Sequence, residues 1–239
     1  MTGTYDDAFY DKQAAGSATS ARVVLPLVFA KYGLPGSVVD VGCGIATWLS
    51  VARELGVAVV TGVDNHDAAP GRLLVPAEDF RRQDLEASVS LPRRYDLALS
   101  LEVAEHLSAA RAEGFVADLC ALSDRVLFSA AIPGQLGDHH INERWQSWWG
   151  KLFAARGYVP DDFLREQLWN HPSVMWWYAQ NTILYRRDPG PPRPVLDVVH
   201  PRCHEQQVRL GGEAQARLRQ VTADLLEALK KNGLVSWGK

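Results

Sequence analysis

Apolar positions along the chain alternate between two periods. Residues 20–33, SARVVLPLVFAKYG, carry apolar side chains at helical spacing and stop at Gly33, a helix terminator. GSVVDVG (36–42) reads as a short buried strand, TWLSVARELG (47–56) as an amphipathic helix closed by Gly56, and VAVVTGVDN (57–65) as a second buried strand. Two strands around one helix make a βαβ unit. A mixed stretch containing FRRQDLE follows. The pattern then predicts a strand in RYDLALSLEV (94–103), a helix in SAARAEGFVADLCALS (108–123) despite Gly114, and a strand in DRVLFSAAIPG (124–134) stopped by Pro133 and Gly134. INERWQSWWGKLFAARGY (141–158) is helical again, and NTILYRR (181–187) reads as a late strand. The alternation predicts a doubly wound α/β domain spanning 1–187, with N-terminal lid helices that include Tyr5, Phe9 and Tyr10. A Pro-rich linker over 188–203 and a C-terminal helical extension over 204–239 complete the expected organisation.

Composition narrows the classes of function. With 239 residues, 47% of them hydrophobic, the chain can bury a full core as one domain with additions. Lys plus Arg number 25 against 28 for Asp plus Glu, so there is no global basic field, and nucleic acid is a disfavoured partner. Cys43, Cys120 and Cys203 are scattered and lack CxxC spacing, which fits a reducing compartment and a cytoplasmic location. The start MTGTYDDAFYDKQ is polar and acidic, without a charged segment before an apolar stretch, and no run approaches ~18 apolar residues, so neither a leader nor membrane association is expected.

The chemistry begins at VVDVGCGIATW (38–48), where a strand ends in Asp40 and Gly42 and Gly44 crowd a turn before a helix. Such a turn lets backbone approach a ligand, and the helix N-terminus offers unpaired N–H groups. Asp64, at the end of the next strand and 20 residues past Gly44, is placed to accept hydrogen bonds from a ribose diol. Strand, glycine turn, helix, strand and acid together predict an adenosine-bearing ligand. A nicotinamide fingerprint would need a third glycine at the position of Thr47.

DVGCGIA instead resembles motif I of the class I S-adenosylmethionine (SAM)-dependent methyltransferases, with Ala46 in place of the last glycine. RRQDLE and YDLALSLEVAEHL extend the resemblance, which covers roughly residues 36–187. It implies a Rossmann-like, mostly parallel seven-stranded sheet with helices on both faces and NTILYRR as an antiparallel strand near the edge. It also implies a SAM site in which Asp40, Gly42 and Gly44 surround the amino-acid part, Asp64 the ribose, and Asp84 and Leu85 the adenine, with Cys43, Asn65 and Leu101 as further cofactor-binding residues.

A hydroxyl acceptor needs a base or a metal. E-x-x-E-H, with Glu102, Glu105 and His106, resembles the set by which RNA 2′-O-methyltransferases of the Hen1 type and quinone O-methyltransferases hold a divalent ion; the same letters also occur in metal-free enzymes whose histidine is a base. The expected metal set is Glu102, Glu105, His106 and His140, for Mg²⁺ or Mn²⁺. PGQLGDHHINERW (133–145) supplies His139, His140 and Glu143 as catalytic candidates beside His106, and Asn142 and Trp145 as substrate contacts. Asn142 also reads as a cap for the following helix, and the other tryptophans, Trp148, Trp149, Trp169, Trp176 and Trp177, as core. The resulting expectation is methyl transfer to a hydroxyl of a small, sugar-bearing or natural-product acceptor. The competing readings are an RNA 3′-end 2′-O-methyltransferase, a small-molecule N-methyltransferase and a non-catalytic SAM-binding subunit. A homodimer through the C-terminal helix is the expected assembly.

Overall fold

The computed structural model describes the backbone of residues 7–65 and 72–231. Tyr5 and the side chains of Phe9 and Tyr10, expected in a lid, lie outside the described residues. Two compact units divide the chain, residues 1–200 and residues 201–239.

The first unit is built on seven strands: β1 (Ser37–Val41), β2 (Val59–Asp64), β3 (Phe80–Arg82), β4 (Leu97–Leu101), β5 (Arg125–Ser129), β6 (Tyr158–Asp161) and β7 (Ile183–Arg187). They form one sheet in the order β3-β2-β1-β4-β5-β7-β6, in which β7 runs antiparallel to both of its neighbours and the other pairings are parallel. Strand polarity explains the layers. Alternate residues of each central strand face opposite sides, so Val38, Leu99 and Leu127 join one apolar cluster while Val39, Ala98, Val126 and Phe128 join another. The first cluster is covered by α1 (Asp7–Tyr32), α2 (Thr47–Glu54), α5 (Phe163–Leu168) and α6 (Trp176–Asn181), and the second by α3 (Ala112–Leu122) and α4 (Gln146–Ala154). Fully buried, near-continuous apolar strands between two helical layers are what a parallel sheet demands.

Four elements depart from the expected pattern. The helix read from residue 20 begins at Asp7 and accommodates Pro26 internally. β3 is three residues long and carries exposed Arg81 and Arg82. The expected helix over 141–158 is α4 alone, and Tyr158, its last residue, opens β6. β6 holds Pro160, which a sheet tolerates because this strand lies at the edge. The Pro-rich segment is in part packed rather than free: Val195 lies against Gly150, and Asp197 accepts hydrogen bonds from the backbone N–H and the hydroxyl of Ser147 at the start of α4, each at 2.7 Å. The His200 N–H donates to Gln180 Oε1. The second unit is α7 (Pro201–Lys231), a 31-residue helix. No described helix is long and apolar enough to cross a membrane.

Candidate active site

β1 and β4 are neighbours, and the chain leaves them toward opposite edges of the sheet, so a crevice opens at their carboxyl ends. A cavity of about 300 Å³ lies there, lined by Asp40, Gly42, Cys43, Gly44, Ile45, Thr47, Trp48, Asp64, Asn65, Leu101 and Glu102, with Ser17 from α1 and Trp177 and Tyr178 from α6. Seven of the expected cofactor residues line it: Asp40, Gly42, Cys43, Gly44, Asp64, Asn65 and Leu101. Asp84 is exposed and accepts a hydrogen bond from the Glu86 N–H, and Leu85 is buried in the core beneath α3.

The two motif glycines serve different ends. Gly42, at φ +88°, faces Val103: a Cβ there would fall 2.3 Å from a Val103 methyl. Gly44, at φ +54°, has open space where its Cβ would be, within the cavity, and its N–H donates to Asp64 Oδ2 at 2.8 Å. Ala46 begins α2 in the left-handed region, φ 67°, so the substitution of the last motif glycine adds backbone strain as well as a methyl group. Asp40 is buried, and desolvation, reinforced by the Asp64 charge, raises its pKa to about 7. This set fits SAM: Gly44 leaves room in the cradle, Asp40 offers a buried acceptor for an ammonium group, and Asp64 stands beside the glycine turn for a ribose.

Glu102 follows β4 with a positive φ of 57°, a strained state for a non-glycine residue. Its carboxylate turns into the cavity and accepts hydrogen bonds from Gln135 Nε2 at 2.9 Å and Asn181 Nδ2 at 3.1 Å. Gln180 Nε2 donates to both Gln135 Oε1 and Asn181 Oδ1, closing a buried carboxamide clamp. Burial raises the Glu102 pKa, and the Asn181, Ser129 and Gln135 hydrogen bonds oppose that rise. Sequence reading missed Gln135, Gln180 and Asn181, as well as Ser17 and Tyr178. Isolated amides give no periodic signal; the one available hint was polar Gln180-Asn181 directly before an apolar strand.

The chain turns sharply after Glu102, and Ala104–His106 form a single helical turn. Of the four expected metal ligands, Glu105, His106 and His140 come together, with ligand atoms within 4.8 Å of one another. Glu102 does not share their face, because its left-handed backbone directs the carboxylate to the clamp. Glu105 is fully buried, its carboxylate has no side-chain hydrogen-bond partner among the described residues, and desolvation followed by the Glu102 charge holds its pKa well above the usual range against the opposing backbone N–H groups of Glu105 and Ala131. A buried carboxylate without a side-chain partner, beside two imidazoles, fits a divalent cation. His106 keeps a solvent-facing edge, yet burial of the rest of its ring, then the neighbouring His140, lower its pKa and favour the neutral, ligating form.

The loop after β5 is fastened over this cluster. The Ile141 and Asn142 N–H groups both donate to the Glu105 carbonyl. Glu143 acts as a staple, accepting from the Gly134 and Leu136 N–H groups and from His140 Nδ1 at 3.0 Å. That last contact orients the His140 ring and leaves its Nε2 as the lone-pair nitrogen. Asn142, expected at the substrate or as a cap, is buried and ties Arg144 Nε to the Ala104 carbonyl; α4 begins after Trp145 and takes its cap from Asp197. His139 is exposed at φ 58°, Trp145 is 40% exposed outside the cavity lining, and Trp149 is core, whereas Trp177 lines the cavity.

A family model for a methyltransferase domain matches residues 12–171, more than half of the chain. Among solved structures, magnesium protoporphyrin IX methyltransferase (ChlM) from Synechocystis PCC 6803, with S-adenosylhomocysteine bound, is similar at a TM-score of 0.56 and 20% identity over 79% of this chain and 90% of that one. The sugar N-methyltransferase KedS8 from Streptoalloteichus sp. ATCC 53650 is similar at 0.59 and 16% over 78% and 97%, and the methyltransferase domain of bacterial CtHen1-C at 0.51 and 19% over 71% and 96%. No curated protein matches the sequence. The match of the family model, on a fold and cavity of this form, shows that the chain belongs to the methyltransferase-domain family of SAM-dependent class I enzymes.

Proposed function

We propose that the protein transfers a methyl group to a hydroxyl of a small acceptor that is sugar-bearing or of natural-product type. The observation that carries the reading is the cluster of Glu105, His106 and His140 beside the cavity, in which the buried Glu105 carboxylate has no side-chain partner among the described residues. SAM supplies a methyl group on a sulfonium, and a neutral alcohol is too weak a nucleophile to take it without help. Asp40 and Asp64 bind the two polar ends of the cofactor, and Gly44 leaves room for it between them. Tyr178 and Trp177 wall the cavity on the α6 side. Glu105, His106 and His140 would hold Mg²⁺ or Mn²⁺, which would lower the pKa of a bound hydroxyl. Glu143, bonded to His140 Nδ1, fixes the ring whose Nε2 would face the ion, and the proton of the acidified hydroxyl would leave to solvent as the oxygen attacks the methyl group. Support for a sugar acceptor comes from KedS8 and from CalS10, a neighbour named as an amino pentose methyltransferase.

A second reading, N-methylation of an amino sugar, is favoured by Glu102, whose clamped carboxylate faces the cavity and would hold an amine. Purified protein, SAM and paired sugar acceptors that carry either a hydroxyl or an amine at the same carbon separate the two. The O-transfer reading expects turnover of the hydroxyl acceptor that EDTA abolishes and Mg²⁺ or Mn²⁺ restores, with Glu105→Ala beyond rescue. Turnover of the amine alone, unchanged in EDTA, would overturn it.

A further inference from the structure

Within the second unit, α7 presents apolar side chains to solvent among the described residues. On α7 the residues Gly211, Ala214, Leu218, Val221, Leu225 and Ala228 follow one another at spacings of three, four, three, four and three, the repeat that keeps one seam on one side of a helix. The large members stand in solvent: Leu218 is 67% exposed, Val221 55% and Leu225 58%. A Cβ at Gly211 would meet no described atom within 4 Å, so no described residue packs against that position. Glycine inside an exposed helix is less favourable than alanine, while a small residue in a seam lets a second backbone approach.

We infer that α7 pairs with α7 of a second copy of this chain, antiparallel, through this seam. Two features select that occupant and that direction. The first is size. Placing Leu218 opposite Val221 of the second copy sets Leu225 opposite Ala214 and Gly211 opposite Ala228, so each outer layer joins a larger to a smaller residue and the widest pairs sit at the centre. A parallel pair would stack glycine on glycine and alanine on alanine at several layers and leave gaps between them. The second is charge. Arg217 and Asp224 flank the seam on the same edge, seven residues apart. Only an antiparallel pair brings Arg217 of one helix against Asp224 of the other, twice by symmetry; a parallel pair would face them with Thr222 and other uncharged positions of the opposite edge.

Sedimentation equilibrium of the full chain at micromolar concentrations tests the pairing, with circular dichroism and SAM binding as checks that the first unit stays folded. The expected species is a dimer that Leu218→Glu together with Leu225→Glu converts to monomer. Arg217→Asp is expected to weaken association roughly tenfold, and Arg217→Asp combined with Asp224→Arg to restore it. A monomeric wild type, or a dimer that survives the two glutamates, overturns the proposal. A double charge reversal as weak as the single one overturns the antiparallel arrangement. None of these readouts involves methyl transfer, so they stand apart from the choice of acceptor.

Discussion

At the scale of single residues, the two glycines of the motif separate packing from ligand binding. Gly42→Ala forces a Cβ to 2.3 Å from Val103 at a positive φ, and a loss of about 3 kcal/mol or more of stability is expected. Gly44→Ala meets no atom within 4 Å and bears only the left-handed strain of about 1 kcal/mol, so this variant should fold while losing SAM affinity. Thermal melts and calorimetry check both; wild-type SAM binding by Gly44→Ala would show that the cofactor does not use this cradle. Asp40 gives the pH prediction. Its pKa rises from the usual 3.8 to about 7 on folding, so between those values the folded chain keeps a proton that the unfolded chain has lost. Stability therefore falls as pH rises through that window, by a total on the order of 4 kcal/mol above it. Asp40→Asn should melt several degrees higher than the wild type at pH 8, with the gap closing toward pH 4, and should bind SAM poorly; equal melting at pH 8 would refute the burial argument. The glycine turn, Asp40 and Asp64 were legible because each is fixed by local spacing. The carboxamide clamp was not, because Gln135 and Asn181 reach Glu102 from 33 and 79 residues away.

Elements with a repeating apolar face, β1, β2, β4, β5, β7 and the helices α2 and α3, were readable from periodicity alone. β3 and β6 were not. Both lie at sheet edges, where one side of the strand has no neighbour, and so they carry arginines or a proline in place of the apolar run that marks a central strand. α5 and α6 have six residues each, too few for a period to register. The Pro-rich segment misled for another reason: its composition argues for an extended backbone, which holds, but not against docking. Asp197 supplies the first turn of α4 with the cap that Asn142 does not, through the Ser147 N–H and hydroxyl. Loss of such a cap costs about 1 kcal/mol. Asp197→Ala should lower the melting temperature by roughly 2–4 °C, and a chain ending at Arg187 should fall further, since it also loses Val195 from Gly150 and His200 from Gln180. Equal melting of the chains ending at 187 and 200 would return the segment to the status of a free linker.

On the scale of the whole molecule, the strand order fixes where chemistry can occur and the charge balance bears on what can reach it. Switching from β1 to β4 opens one crevice, and the cofactor cavity, the Glu102 clamp and the Glu105, His106 and His140 cluster all gather at the strand ends that border it. Resemblance of E-x-x-E-H to RNA-modifying enzymes argues for a polyanion, whereas a formal net charge of −3 argues against one. The two can be weighed by magnitude. An RNA acceptor held by six to ten phosphate contacts would lose about 10³- to 10⁵-fold in affinity between 50 and 200 mM salt, because each neutralised phosphate releases counterions. A neutral sugar or natural product releases none, and its recognition by Tyr178, Trp177 and the loop after β5 would depend on burial and hydrogen bonds that salt leaves nearly unchanged. The KM for a productive acceptor should therefore vary by less than about threefold over that range, with kcat constant. Steady-state kinetics at four salt concentrations decide the matter: a steep log–log fall in kcat/KM would reinstate the nucleic-acid reading against the negative net charge, and a flat line would leave a small uncharged acceptor as the substrate.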